Sequence, residues 1–231
     1  MSSTNGKLVA GILSNLPIFR HIPAAKLASV ARHAHTEHVA KGTTIARRGE
    51  RPRGLLALAY GLVKLSVKGD SEMVVRLLGP GDTFGEAVLF LDRPYSVDAT
   101  ALADTLLVVV PAAPLLALVD EDRSFARAML ASLSQRLHAL VSDLEASTVH
   151  GARERLAAYL GSLAGAGAGR AKIQLPASKT VIAARLGITK ETFSRLLRAF
   201  SQEGLIQVSR REITLQDRAR LDAVARAVRS A

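Results

Sequence analysis

Apolar and polar positions change their period several times along the chain, and each change marks an element. Residues 8 to 33 carry short helical patterns. The segment Pro17-Ile18-Phe19-Arg20-His21-Ile22-Pro23 interrupts them, and Ala24 to Arg32 is helical in pattern. From His33 to Val39 the chain begins to alternate. Short strand patterns follow, punctuated by glycine: Thr43 to Ile45, Leu55 to Tyr60, Leu62 to Val67, Glu72 to Leu78, Ser96 to Ala101 and Thr105 to Val110. Pro111 and Pro114 close this region. Asp120 to about Thr148 reads as one long helix, and Arg153 to Leu163 as a second, amphipathic one. A glycine- and alanine-rich loop then runs to Gly169, followed by the extended piece Ile173 to Pro176.

Many short strands with turn residues between them predict an all-β barrel or jelly roll. On the long helix, Leu130, Leu133, Leu137, Leu140 and Leu144 fall at spacings of 3, 4, 3 and 4. That is the a/d seam of a heptad repeat, and a seam needs a partner. The simplest partner is the same helix of a second copy, so a homodimer is expected. Phe125, Met129 and Val141 widen the stripe, so the helix is expected to pack on its own barrel as well.

The last third holds a helix, a tight turn and a second helix. Ser178 can cap the helix from Lys179 to Leu186, Gly187 supplies the turn, and Thr189 can cap the second helix. Ile188 and Phe193 have the spacing of a hydrophobic staple. This pattern is a helix-turn-helix. Two strands follow, Gly204 to Val208 and Glu212 to Leu215, forming a wing with Arg210 and Arg211 at its tip. Asp217 to Val228 reads as a closing amphipathic helix.

Charge supports this division. The net charge is +11, and from Thr148 onward 15 Lys+Arg stand against 6 Asp+Glu. Nearly all the excess therefore lies in the helix-turn-helix region, as expected for a partner that is a polyanion. The chain has no cysteine, which excludes disulfides, thiolate metal sites and Cys-ligated iron–sulfur clusters. No secretory leader or run of about 18 apolar residues is legible, so a cytoplasmic protein that does not span a membrane is expected. No nucleophile elbow, phosphate loop or metal-spaced His pair is present, so an enzyme is not expected.

If Phe193, Leu196, Leu197 and Phe200 face the core, then Lys190, Glu191, Ser194 and Arg195 point outward near the start of the second helix. Arg195 can donate two hydrogen bonds to guanine O6 and N7. Glu191 can accept from a cytosine amino group or orient Arg195. Ser194 can reach a base edge or a phosphate, and Lys190, Arg210 and Arg211 are candidates for phosphate contacts.

With these residues in place, the chain resembles the Crp/Fnr family of bacterial transcription regulators over essentially its whole length. The sharpest motifs are Pro80-Gly81-Asp82-Thr83-Phe84-Gly85-Glu86 and Glu191-Thr192-Phe193-Ser194-Arg195. The resemblance implies an α+β fold: an N-terminal cyclic-nucleotide-binding-like β jelly-roll barrel in residues 1–119, a dimerisation helix in 120–148, and a C-terminal winged helix-turn-helix in 149–231. It implies double-stranded DNA as partner, read at a palindromic operator, and RNA polymerase as a further partner. The E-x-x-S-R pattern is that of members reading TTGAT half-sites in an inverted repeat.

The resemblance places the effector pocket at Gly85, Glu86, Tyr95, Leu140, Val141 and His138. Tyr95-Ser96 stands where the nucleotide-binding members carry Arg-Ser, and Leu140-Val141 stands where they carry Thr-Ser. Burying a phosphate without a guanidinium is costly, so cyclic AMP is not expected unless Arg93 substitutes. The segments Phe84 to Tyr95 and Leu175 to Lys179 resemble the Dnr/NnrR branch, which implies haem and nitric oxide as the effector system, with His138 as a candidate ligand among His21, His33, His35, His38, His138 and His150. The alternative kept open is a cyclic-nucleotide-responsive regulator or signalling module.

Overall fold

The computed structural model describes residues 2–69, 71–165 and 170–226, with side chains at 2–5, 142, 143 and 145–149 outside the description. The chain divides into two compact units, and the division falls inside the long helix, between Leu137 and His138; residues 71–74 group with the second unit.

The first unit opens with α1 (Ser2–Ser14), a 3-10 turn (Pro17–Phe19) and α2 (Ala24–His33). Then come β1 (His35–Val39), β2 (Thr44–Ala46), β3 (Leu55–Tyr60), β4 (Val63–Lys68), β5 (Glu72–Leu78), β6 (Thr83–Phe84), α3 (Glu86–Phe90), β7 (Asp98–Ala101) and β8 (Thr105–Val110). The strands form two four-stranded sheets, ordered β1-β8-β3-β6 and β2-β7-β4-β5. The sheets do not close on each other, so the expected barrel is a jelly-roll sandwich.

Two strands explain why this unit needs helices as well as sheets. Along β3, Leu56 and Leu58 enter the core between the sheets, while Leu55 and Ala57 enter a second core under the helices. Along β8, Leu107 and Val109 face the first core and Val108 and Val110 the second. A strand buried on both faces reads as a continuous apolar run rather than an alternation, and Leu55–Tyr60 and Thr105–Val110 read that way. The second core is completed by Val9 and Leu13 of α1, Leu27 and Val30 of α2, and Phe125 and Met129 beyond the sheets.

Two findings differ from the sequence reading. Residues after Pro111 form a separate helix, α4 (Ala112–Glu121), and the long helix, α5 (Arg123–Val149), starts later than Asp120. Pro111 is the N-cap residue of α4 and Pro114 lies in its first turn, where a missing N–H costs no helical bond. Asp122 is extended at φ −130° and separates the helices. Its carboxylate accepts from the backbone N–H groups of Ser124 and Phe125, both at 3.0 Å, so it caps α5.

Lys26 of α2 donates to the other Asp122 oxygen at 2.9 Å and to the Glu121 carbonyl at 2.9 Å. Beside it, the rings of Phe19 and Phe125 stack with centroids 5.2 Å apart. The N-terminal helices therefore grip the start of α5 by both a charge and an aromatic contact.

The second unit contains α6 (Ala152–Leu163), β9 (Ala171–Gln174), α7 (Lys179–Arg185), α8 (Lys190–Gln202), β10 (Ile206–Ser209), β11 (Glu212–Leu215) and α9 (Arg218–Arg226). Its three strands form one antiparallel sheet, ordered β10-β11-β9. The glycine-rich loop lies largely outside the described residues. Among the described residues, no helix is long and apolar enough to cross a membrane.

The Asp122 contacts carry a pH dependence. Hydrogen bonds from Ser124, Lys26 and the Phe125 backbone hold its carboxyl well below the usual range. A depressed folded value contributes stability that is fully present above the unfolded value of about 3.9 and is lost as pH falls toward the folded one. Asp122→Ala should melt below wild type at neutral pH, and the gap should narrow below about pH 4. Thermal melts of both proteins across that range check this; a gap independent of pH would refute it.

Candidate nucleic-acid interface and effector corner

The two helices of the reader are fixed by local signals at both ends. The Ser178 hydroxyl accepts from the Val181 N–H at 3.3 Å, and the Thr189 hydroxyl accepts from the Thr192 N–H at 3.1 Å. At the turn, Gly187 takes a φ of +62°. The Ile188 N–H donates to the Ala183 carbonyl at 3.0 Å and the Gly187 N–H to that of Ala184 at 3.4 Å. This double bond pattern ends a helix at a left-handed residue, which favours glycine. The same pattern closes α8, with Leu205 donating to Phe200 and Gly204 to Ser201.

Ile182 and Ala183 of α7 are buried, as are Phe193, Leu197 and Phe200 of α8. That fixes the rotation of α8. Lys190, Glu191, Ser194 and Arg195 are exposed on its opposite edge. Positions three and four apart share one helical face, so the candidate base readers form one row. Arg198 is exposed too and extends that row by three residues. The sequence reading did not single it out, although its spacing from Arg195 carried the signal. Leu196, expected in the core, is half-buried.

A brace holds α8 in place. Arg153 of α6 donates to both Glu203 oxygens, at 2.9 and 2.5 Å. Its guanidinium also lies 4.9 Å from the centre of the Phe200 ring, within the range of a cation–π contact. The pair acts on both partners: hydrogen bonding to Arg153 holds the Glu203 carboxyl low, and that to Glu203 raises Arg153.

The structure separates the two wing arginines, which the sequence treats alike. Arg210 sits at the exposed tip with a φ of +53°, a conformation that costs a non-glycine residue about 1–2 kcal/mol. Arg211 donates to the Leu175 and Pro176 carbonyls, both at 3.0 Å. It ties the wing to the segment leading into α7, whereas Arg210 is presented to solvent.

In the first unit, the Gly85-Glu86 corner is built by close packing. Gly85 has a φ of +94°, and a Cβ there would lie 2.8 Å from the Gly54 carbonyl oxygen and 3.3 Å from the Tyr95 hydroxyl. Glu86 opens α3 and is 3% exposed. Its carboxylate forms an ion pair with Arg136 of α5. Arg136 also donates to the Thr83 hydroxyl at 2.6 Å. Burial, then the neighbouring Arg76, pull the Arg136 guanidinium down to about 10, partly opposed by Asp82. It is therefore still a cation at neutral pH. The sequence reading missed Arg136, because nothing local marks a charged residue beside a leucine seam as inward-facing.

Tyr95 is buried, and desolvation pushes its phenol up. Arg93 is exposed. Gly85, Glu86 and Tyr95 thus come together, whereas His138, Leu140 and Val141 are exposed on the part of α5 that belongs to the second unit.

A haem needs an axial side chain in an enclosed apolar pocket. His21, His33, His35, His38 and His138 are exposed, and His150 is half-buried at the start of α6. The His33 ring contacts its own helix at the Ser29 carbonyl, and that of His38 contacts the Tyr60 hydroxyl. Among the described residues no group of three or more His, Cys, Asp or Glu is placed to hold a metal ion.

Comparison with known proteins agrees with this geometry. Residues 36–122 match the cyclic nucleotide-binding domain, and residues 154–224 match the Crp-like helix-turn-helix domain. A cyclic AMP receptor protein from Thermus thermophilus is 30% identical over 187 residues, covering 80% of this chain and 85% of that protein. The fumarate and nitrate reduction regulatory protein of Salmonella typhimurium is 26% identical, covering 81% and 77%. Among solved structures, FixK2 from Bradyrhizobium japonicum aligns with a TM-score of 0.73 at 25% identity, covering 86% of this chain and 99% of that one.

The buried pair yields a stability prediction. Arg136→Met leaves the Glu86 carboxylate buried and unpaired, which should cost roughly 3–5 kcal/mol. Adding Glu86→Gln should recover part of that loss. Urea denaturation of the wild type and both variants measures it; full stability in Arg136→Met would show that the pair is not formed.

Proposed function

Because the chain belongs to the Crp/Fnr family of DNA-binding transcription regulators, we propose that it acts as a homodimer reading an inverted repeat of the form TTGAT-N4-ATCAA. An effector in the sensor unit controls that reading, and the DNA-bound dimer acts on RNA polymerase. The observation that carries the proposal is the exposed row Glu191, Ser194 and Arg195 on α8, held outward by the buried Phe193, Leu197 and Phe200. Arg195 and Glu191 can pair with guanine and cytosine edges, while Lys190 and Arg210 fix the register through phosphates.

The dimer is supported by the α5 seam. Leu130, Leu137, Leu140 and Leu144 are 64%, 63%, 48% and 66% exposed in the single chain. Phe125 and Met129, on the same helix, are buried against the first unit. The wide stripe is thus divided: the seam residue Leu133 packs half-buried against the same core, and the other four seam leucines are left exposed. Covering a leucine removes about 1.5–3 kcal/mol of unfavourable exposure, so four per chain give a strong drive to pair. Two-fold pairing places two readers on half-sites about one DNA turn apart.

Gating can travel through α5. Arg136, which neutralises Glu86, immediately precedes the seam residue Leu137. A ligand that changes the Glu86–Arg136 contact would bias the arrangement of the paired helices, and the ligand shifts the equilibrium by its differential affinity for the two arrangements.

A second reading has a cyclic nucleotide as effector, and the matched cyclic nucleotide-binding domain supports it. Tyr95 opposes it, because that position supplies no cation for a phosphate. Calorimetric titration with cyclic AMP and cyclic GMP separates the two, since micromolar binding is expected only on the second.

A gel shift with the TTGAT-N4-ATCAA duplex should show sequence-preferring binding that weakens with salt. Arg195→Ala should cost roughly 1–3 kcal/mol and relax the preference at one G·C pair; an equal loss on every sequence would place Arg195 on phosphate alone. Leu137→Glu should shift the protein toward monomer in sedimentation and weaken operator binding. A dimer that persists in Leu137→Glu would remove the seam from the interface.

A further inference from the structure

Two arginines hold α7 at its two ends, and both do so through backbone carbonyls. Arg211 donates to those of Leu175 and Pro176, ahead of the helix. Arg155, half-buried on α6, donates from Nε to the Leu186 carbonyl at 3.1 Å and from Nη1 to the His150 carbonyl at 2.7 Å. Leu186 stands between α7 and the left-handed Gly187 of the turn. His150 stands between the end of α5 and Gly151, the N-cap residue of α6. One guanidinium therefore bridges the junction after the long helix and the turn inside the reader.

Carbonyls at a helix end lack the next turn of helix as donor, so each needs another partner. A charged donor makes the stronger kind of hydrogen bond. The guanidinium is planar and its N–H groups point in fixed directions, so two carbonyls bound to one guanidinium are held at a fixed separation. An ammonium carries the same charge on a flexible stem and sets no such distance. Four residues on, and so on the same face of α6, Tyr159 has a buried hydroxyl without a hydrogen-bond partner. Burial pushes its phenol up, and the charge of Arg185, the last residue of α7, opposes that. Tyr159 thus lies near the end of α7 without bonding to it, and Arg155 supplies the hydrogen bond there.

We propose that Arg155 is a positioning residue for operator recognition: by joining the Leu186 carbonyl to the His150 carbonyl, it ties the reader's turn to the end of the long helix. The turn sets where α8 begins, since Gly187, Ile188 and the Thr189 cap lead directly into it. A displacement of the backbone at His150 therefore reaches α8 through one side chain. This rests on α8 as the operator-reading helix, and it supplies a residue that keeps the reading row in register. Because its Nε and Nη1 face carbonyls, Arg155 acts on DNA through the turn and not through a phosphate.

The test uses the full chain with Arg155→Lys, which keeps the charge and loses the fork, and Arg155→Met, which loses both. Residue-resolved amide hydrogen exchange reads the turn without DNA. The Gly187 and Ile188 amides, which close the end of α7, should exchange about tenfold faster in both variants. The Gly204 and Leu205 amides close the end of α8 by the same bond pattern and should keep their wild-type rates. Gly151→Ala, a poorer N-cap for α6, should change Ile188 exchange in the wild-type background and leave it unchanged beside Arg155→Met. A gel shift then compares the TTGAT-N4-ATCAA duplex with a scrambled duplex of equal length, where all the proteins are folded. Arg155→Lys should bind the operator about tenfold more weakly and the scrambled duplex as wild type does.

Wild-type exchange at Ile188 in either Arg155 variant overturns the proposal. So does faster exchange that takes in Gly204 and Leu205 equally, since that is a general loss of stability. Equal effects of Gly151→Ala in both backgrounds would remove the tie to the long helix. An unchanged operator preference beside an altered turn would make Arg155 a structural residue only, and an equal loss on both duplexes would place it on phosphate. If the wild type itself shows no operator preference, the operator reading fails, and the tie between turn and long helix then stands or falls by exchange alone.

Discussion

A buried carboxylate constrains its surroundings more than any other group in this fold. Glu86 sits at the start of a five-residue helix, almost wholly removed from water. It can remain ionised only if a cation is buried with it. Arg136 is that cation, and it comes from α5, the helix that also carries the leucine seam. The sensor corner and the long helix are thus joined by an electrostatic requirement rather than by apolar contact alone. The other end of the first unit's share of α5 is joined by Lys26, Asp122 and the Phe19–Phe125 stack. Between these two anchors α5 cannot shift without disturbing one of them.

The reader obeys a different logic, since its geometry is set by backbone bonds at the helix ends. Two hydroxyl caps and two glycine-terminated helix ends leave α7 and α8 little freedom in where they start and stop. The Arg153–Glu203 brace then fixes the far end of α8 against α6. The row proposed to read bases needs this rigidity, because a rotation of α8 by one residue would turn Arg195 away and bring Leu196 forward. The strained Arg210 belongs to the same logic. A tip that glycine would occupy without cost instead carries a guanidinium, as expected where presenting a charge outweighs local stability.

Much of this was legible in the sequence, and the misses have physical reasons. β3, β5 and β8 match the expected spans to the residue, because both kinds of apolar pattern in them are bounded by turn residues. The caps at Ser178 and Thr189 and the turn at Gly187 are local features, so they are readable locally. β6 and α3 escaped because segments of two and five residues carry no period. α4 escaped because Pro111 and Pro114 read as breakers, although a proline at or near a helix start is compatible with the helix. On the candidate site, the outward row followed from helical spacing once the core face was known. Arg136 and the tie made by Arg211 did not, because each depends on a partner more than 30 residues away in sequence.

The distribution of charge unites these observations. In the first unit Arg136 and Arg76 are each engaged by a carboxylate, Glu86 and Asp82. In the second, Lys190, Arg195, Arg198 and Arg210 are exposed, and the surplus of basic residues from Thr148 onward is 15 against 6. Both arrangements follow from one rule applied in two media. Inside the protein an unmatched charge is costly, so a group that must stay charged brings its counter-ion with it. At the surface an unmatched cation is cheap and remains available to a polyanion. The exposed cations of the second unit thus suit it to a polyanion such as DNA.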